Sequence, residues 1–112
     1  MATSEVDAST QKYDAGKAQL DLVPRELPEA AARAFTFGAT KYRRGGWLVG
    51  KLSQGRIIAA LLRHVFAYSN GEDTDPESGL SHLDHAAACL AMLIATRARN
   101  LGPDDRLGVS DG

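Results

Sequence analysis

The chain has 112 residues, with thirteen Lys and Arg against fourteen Asp and Glu, a formal net charge of −1. That length allows one domain with a modest core, and the near-zero charge gives no electrostatic case for duplex DNA or an anionic membrane. The single cysteine, Cys89, excludes an intramolecular disulfide and suits a reducing cytoplasm.

Residues 1–11 are small and polar, with nothing to bury, and are expected to be disordered. They have neither the basic start nor the apolar stretch of a signal peptide. A single helical domain is expected over 12–100, followed by a flexible tail over 101–112. From Lys12 to Val23 the chain reads as extended, and the Leu20/Leu22 alternation also fits a short edge strand. Pro24 and Pro28 then punctuate a helix start, Pro28 fitting the first turn. Ala30, Ala31, Ala34, Phe35 and Ala39 carry helical spacing, which predicts a helix over 26–42. Gly38 inside it costs about 1 kcal/mol against alanine, so it marks a close approach of backbone or ligand.

Arg43-Arg44-Gly45-Gly46-Trp47 opens a glycine-rich basic loop that carries the only tryptophan. Ser53 is the expected cap of a helix over 54–70, in which Ile57, Ile58, Leu61, Leu62, Val65 and Phe66 are apolar. A last helix is predicted over 80–98. Ser81 with Asp84 offers one start for it, Asp75 with Pro76 an earlier one. Its apolar run, Ala86 to Ala95, is ten residues and too short to span a bilayer. Three principal helices and no confident sheet make this an all-α domain with an extended N-terminal segment. The last two helices, joined by a short loop, are expected to pack antiparallel.

All three histidines, and five of the fourteen carboxylates, fall between residues 64 and 85. His64 lies six residues before the expected helix end, and His85 about as far into the next helix. In an antiparallel pair both then stand about 9 Å from the loop. His82 and His85, spaced i, i+3, share a helical face near a helix N-terminus, where the macrodipole favours neutral imidazole. Neutral imidazole is the form that ligates metal or acts as a base. A lone helical histidine is more often a hydrogen-bonded structural residue, so the cluster stands between packing and chemistry. The acidic loop Glu72-Asp73-Thr74-Asp75-Pro76-Glu77 reads either as a solvated turn or as a hard-cation site. Arg43 and Arg44 beside two glycines and Trp47 suit a nucleotide's phosphate and base, although Trp47 also fits as a core plug under a loop.

Lys12-Tyr13-Asp14-x-Gly16-Lys17, Leu22-Val23-Pro24, Phe37-Gly38-Ala39-x-Lys41-Tyr42, Trp47 and Leu62-Arg63-His64 recur in order with Gly71-Glu72-Asp73-x-Asp75-Pro76-Glu77-Ser78-Gly79 and His82-x-x-His85-Ala86-Ala87. Over roughly residues 12–96 this pattern resembles the N-terminal-domain family of phage dATP/dGTP diphosphohydrolases. The resemblance implies a phage-encoded, mostly helical protein of the infected host's cytoplasm. It also implies a link to MazG-like all-α pyrophosphohydrolases, which cut a nucleoside triphosphate to monophosphate and pyrophosphate with Mg2+ or Mn2+. Those enzymes hold metal with Glu-x-x-Glu on one helix and Glu-x-x-Asp on the next. Here Glu26-x-x-Glu29 straddles a proline, Glu72-x-x-Asp75 sits in a loop, and His64, His82 and His85 stand where carboxylates are expected.

The combined expectation is a pyrophosphohydrolase of purine deoxynucleoside triphosphates that uses Mg2+ or Mn2+. Glu72, Asp75 and Glu77 are the expected metal ligands, with His64, His82 and His85 as further ligands or as base. Lys17, Lys41, Arg43, Arg56 and Arg63 are candidate phosphate contacts, and Tyr42 or Trp47 the candidate platform for the base. The alternative is a nucleotide-binding protein without turnover. A homo-oligomer, most simply a two-fold dimer, is expected because so small a chain can hardly cover three apolar helices.

Overall fold

The computed structural model describes residues 15–49 and 52–109. The expected disorder over 1–11 and the start of the Lys12 motif lie outside the described residues, as do Gly50, Lys51 and 110–112. In chain order the helices are α1 (Glu26–Lys41), α2 (Gly46–Val49), α3 (Gln54–Ser69) and α4 (His82–Arg99). The three long ones fall within two residues of the predicted spans. Before α1, Leu20–Leu22 form one turn of 3-10 helix flanked by extended Gln19 and Val23. The edge strand that the alternation also fitted does not form. No strand lies among the described residues to pair with it, and Leu20 and Leu22 are 79 % and 72 % exposed.

The helix ends follow local chemistry. Glu26 and Glu29 occupy the first turn of α1 and Lys41 its last, both signs complementing the helix dipole. α4 starts at Ser81, whose hydroxyl accepts from the Leu83 N–H at 3.0 Å, which decides between the two starts the sequence offered. It ends at Asn100, which adopts a left-handed conformation at φ 55° and stops the helix. α3 ends on Gly71 at φ 94°, with the Glu72 N–H reaching back to the Ala67 carbonyl at 3.0 Å.

The start of α3 draws on distant chain. The Gln54 N–H donates to the Pro103 carbonyl at 3.1 Å, the Gly55 N–H to Asp105 Oδ1 at 2.7 Å, and the Arg56 N–H to Ser53 Oγ at 3.3 Å. Three donors that a helix leaves unpaired at its N-terminus are thereby satisfied. The tail, expected to be flexible from 101, is tied down here as far as Asp105.

These bonds set the start of α3 beside the chain that leaves α4. At the other end, His64 of α3 meets His82 at the start of α4. The pair therefore runs antiparallel. α4 is the middle helix and packs against both α1 and α3. The buried apolar residues are small or slender: Ala34, Ile57, Ala86, Ala88 and Cys89. Small side chains on α4 allow its two neighbours to approach closely, and several larger residues of the pattern stay outside. Phe66 and Ile94 are 60 % and 61 % exposed. Among the described residues no helix is long and apolar enough to cross a membrane.

Accepting from Gly55, and from Ser53, holds the Asp105 carboxyl below its usual range. A carboxyl depressed on folding adds stability above its unfolded value and loses that contribution as pH falls through the folded value. Asp105→Ala should therefore lower the melting temperature at neutral pH, with the gap from the parent chain closing in acid. Calorimetric melts across that range check this, and a gap independent of pH would show that the carboxylate charge does not serve the cap.

Candidate functional site

The loop between α3 and α4 is closed by its own backbone. The Asp75 N–H donates to the Leu80 carbonyl, and the Gly79 N–H to the Asp75 carbonyl, both at 2.8 Å. Gly79 takes φ 77°, a left-handed conformation that favours glycine. The His82 N–H donates to the Asp73 carbonyl at 3.0 Å, which joins the loop to the first turn of α4. Most of the loop is solvated, as expected, but Asp75 is not: its side chain is 16 % exposed, like that of His85, whose Nε2 lies 3.4 Å from Asp75 Oδ2.

The three histidines converge. His64 Nδ1 and His82 Nδ1 are 2.9 Å apart, and the rings of His64 and His85 stack at 4.7 Å between centroids. His82 Nε2 lies 2.6 Å from Glu72 Oε1, and His85 Nε2 lies 2.6 Å from Ser78 Oγ. A carboxylate only accepts, so His82 Nε2–H donates to Glu72. With His82 neutral, its Nδ1 accepts from His64 Nδ1–H, which leaves His64 Nε2 with a free lone pair. Burial, reinforced by the neighbouring His85, pushes the His64 imidazole below its usual range and favours that neutral form.

The three carboxylates expected to share a metal are not brought together as one ligand set. Glu72 binds His82, and Glu77 forms an ion pair with Lys41 at 2.8 Å. Among the described residues the metal-sized grouping is His64, Asp75 and His85, each with a ligand atom within 4.8 Å of the others.

Two cavities meet at this cluster. The smaller, about 380 Å3, is polar and includes Arg63, His64, Asp75, Glu77, Ser78 and His82 in its wall. The larger, about 1420 Å3, is an open apolar cleft along α1 and α2, rimmed by Lys41, Tyr42, Arg43, Arg44 and Trp47. Phe37 and His85 line both, Phe37 standing edge-on to the imidazole at 6.3 Å. Trp47 packs on Phe35 at 5.8 Å and is only partly buried, so it serves as a plug and still offers a face to the cleft. Gly38 lines the cleft, and a Cβ there would meet nothing within 4 Å. The room beside it is open to a ligand and not filled by the protein's own backbone. Lys17 and Arg56 are exposed and line neither cavity. Cys89 lies in the cleft wall, and burial pushes its thiol up, consistent with a small core residue.

Sequence reasoning missed Asp84 and Ser78. Asp84 is buried on α4 between the two histidines and takes a two-pronged bond from Arg33 of α1, Nε at 3.0 Å and Nη2 at 2.9 Å. A carboxylate at helix position three after a serine reads as a cap, which hid this role. Ser78 carried no signal beyond its place in the loop.

The family described as dATP/dGTP diphosphohydrolase, N-terminal, matches residues 7–106, and the chain belongs to it. A dATP/dGTP diphosphohydrolase of Salmonella phage PMBT28 is 36 % identical over 95 residues. That alignment covers 85 % of this chain and 32 % of the relative, so the chain spans about a third of that protein's length. No solved structure matches the chain.

Removing Arg33 strands a buried carboxylate beside the histidines, a loss that desolvation makes costly. Arg33→Ala should lower the melting temperature clearly, and Arg33→Lys should recover only part of it, because an ammonium cannot supply the fork. Equal melting temperatures for the parent chain and both variants would show that the fork adds nothing.

Proposed function

We propose that this domain binds a purine deoxynucleoside triphosphate and hydrolyses it to the monophosphate and pyrophosphate. The observation that carries the reading is the wall shared by the two cavities: a nucleotide lying in the apolar cleft would direct its phosphates past Phe37 and His85 into the polar pocket. The base stacks on Trp47 or Tyr42, a contact that tolerates any purine face. Lys41 and Arg43 from the cleft and Arg63 from the pocket are the proposed phosphate contacts, Lys41 by exchanging its bond to Glu77. Water attacks the α-phosphorus, the α–β anhydride bond breaks, and pyrophosphate leaves. His85, at the junction, would hold with Asp75 the cation that makes the water acidic, and the water's proton passes to solvent. The activity named for the phage relative, and the family it shares with this chain, support purine deoxynucleotides as the substrate class.

A divalent cation belongs to the proposal. Mg2+ prefers an all-oxygen set, and of the three expected ligands Glu72 and Glu77 are engaged elsewhere, which leaves Asp75. The donors on this chain fit Mn2+ better than Mg2+. When bound, such an ion neutralises charge that develops on the phosphates.

A second reading is a binding domain without turnover. It draws support from the chain's share of its relative, about a third, which leaves room for hydrolysis to reside elsewhere in that longer protein. Incubation with a nucleotide panel, with and without Mn2+ or Mg2+, separates the two when products are resolved by chromatography. Monophosphate and pyrophosphate from dATP or dGTP support the hydrolase. Tight binding with unchanged nucleotide supports the binding domain, and the absence of both sinks both readings. Within the hydrolase reading, His85→Ala should reduce kcat by orders of magnitude while binding persists. Trp47→Ala should weaken binding about tenfold, since one stacked base is worth about 1–3 kcal/mol.

Self-association is the other part of the proposal. Leu62 and Phe66 on α3, and Leu83, Leu90 and Ile94 on α4, form two exposed apolar stripes. A second copy is the simplest cover for them. Light scattering should report a dimer or larger, reduced to monomer by Phe66→Glu with Ile94→Glu. A parent chain that is monomeric at high concentration would end this reading.

A further inference from the structure

We infer that His64, Asp75 and His85 form a binding site for a divalent first-row transition ion, Mn2+ through Zn2+, in preference to Mg2+. This deepens the reading of the polar pocket and rests on it for what the ion acts upon, while the site itself stands on the donor geometry.

Three features carry it. The first is spacing. Two donors that each ligate one ion at about 2.1 Å stand about 3.0–3.4 Å apart for cis-octahedral to tetrahedral angles. His85 Nε2 and Asp75 Oδ2 are 3.4 Å apart. The second is the donor set. Two imidazoles and one carboxylate suit ions that accept nitrogen, whereas Mg2+ takes oxygen and parts reluctantly with water. Of the other loop acids, Glu72 is engaged by His82 and Glu77 by Lys41, while Asp73 is exposed and outside the grouping.

The third is the support behind the donors. A ligating histidine ordinarily gives its other N–H to a fixed acceptor, which sets the tautomer and turns the ring. With His82 neutral and its Nε2–H on Glu72, His82 Nδ1 is the acceptor that takes His64 Nδ1–H. This line of two bonds, from Glu72 through His82 to His64, leaves His64 Nε2 as the ligating nitrogen. His82 is therefore a positioning residue, buried to 6 % exposure of its side chain. Asp75 is aimed by the closed turn: its Oδ1 accepts from the Glu77 N–H at 3.0 Å, and Oδ2 faces His85.

The site also implies a movement. His64 and His85 are nearly parallel, with 14° between their planes, so an ion lying in the plane of both requires one ring to turn. His85 already points Nε2 at Asp75, with Phe37 edge-on to its ring, and has only to exchange the Ser78 hydroxyl for the ion. His64 is the ring that turns, about its bond to His82.

The test needs no nucleotide. The full chain, freed of metal by dialysis against chelator, is titrated with Co2+ while its ligand-field absorption is followed, and then challenged with Mg2+. One Co2+ per chain, retained against an about hundredfold excess of Mg2+, is the expected result. Asp75→Asn and His85→Gln should abolish the spectrum, and Glu72→Gln should weaken binding by about 10–100-fold through the second layer. Glu77→Gln should bind Co2+ as the parent does. Circular dichroism checks that each variant folds, and the stoichiometry and Mg2+ challenge on the parent chain decide the matter if one does not. No Co2+ spectrum, displacement by equimolar Mg2+, or a loss in Glu77→Gln as large as in Asp75→Asn would overturn the inference. Co2+ binding without nucleotide turnover would leave this site standing and sink the hydrolase reading. Turnover with Mg2+ and no Co2+ binding would do the reverse.

Discussion

The fork between Arg33 and Asp84 is the contact on which the rest of the molecule is arranged. Asp84 is buried in the first turn of α4, with His82 before it and His85 after it. Successive helical residues point about 100° apart, so the same turn can face two ways. Asp84 turns to α1, and His82 to α3. A buried carboxylate without a partner is expensive, and this requirement draws Arg33, and α1 with it, onto the start of α4. One helical turn further along α1, Phe37 then stands against His85, and a turn beyond that Lys41 reaches the loop acid Glu77. The wall between cleft and pocket is a consequence of that fork.

Charge in the pocket is distributed by competition among neighbours. As a string, residues 72–77 are a cluster of acids able to gather a hard cation. In the folded chain two of them have found partners of their own, an imidazole and an ammonium. The exposed ion pair of Lys41 with Glu77 is weak and exchangeable in solvent. The bond from His82 to Glu72 is half-buried, and it orders a second imidazole behind it. What remains for a ligand is the carboxylate that the closed loop holds least exposed, beside two rings. The pocket thus has the chemistry of imidazole, tempered by one acid, and its electrostatics differ from those of an acidic loop.

The cleft supplies what the pocket lacks. It is broad and apolar, with cationic and aromatic residues at its rim, a composition suited to holding a flat base and a charged tail in one ligand. Gly38 contributes by absence. No packing contact requires a glycine there, and the helix would be steadier with alanine. Its cost is consistent with space kept clear for something that enters. Membership of a diphosphohydrolase family agrees with such a ligand.

Much was legible from the sequence because helices are local. The three long spans, the antiparallel pairing of the last two, and the convergence of the histidines all follow from periodicity, capping serines and the rise per residue. The resemblance carried by Phe37-Gly38-Ala39, Glu72 through Gly79 and His82-x-x-His85 named the family. Four things only the tertiary structure decided: the pairing of Arg33 with Asp84, the anchoring of α3 by Pro103 and Asp105, the engagement of Glu72 by His82 and Glu77 by Lys41 while Asp75 lies beside His85, and the place of Ser78 against His85. Each is a contact between residues from different elements, or a choice among several similar acids. Spacing along the chain shows which residue types are available in a region. Which acid meets which base depends on distances across the fold, and those are set only when the helices pack.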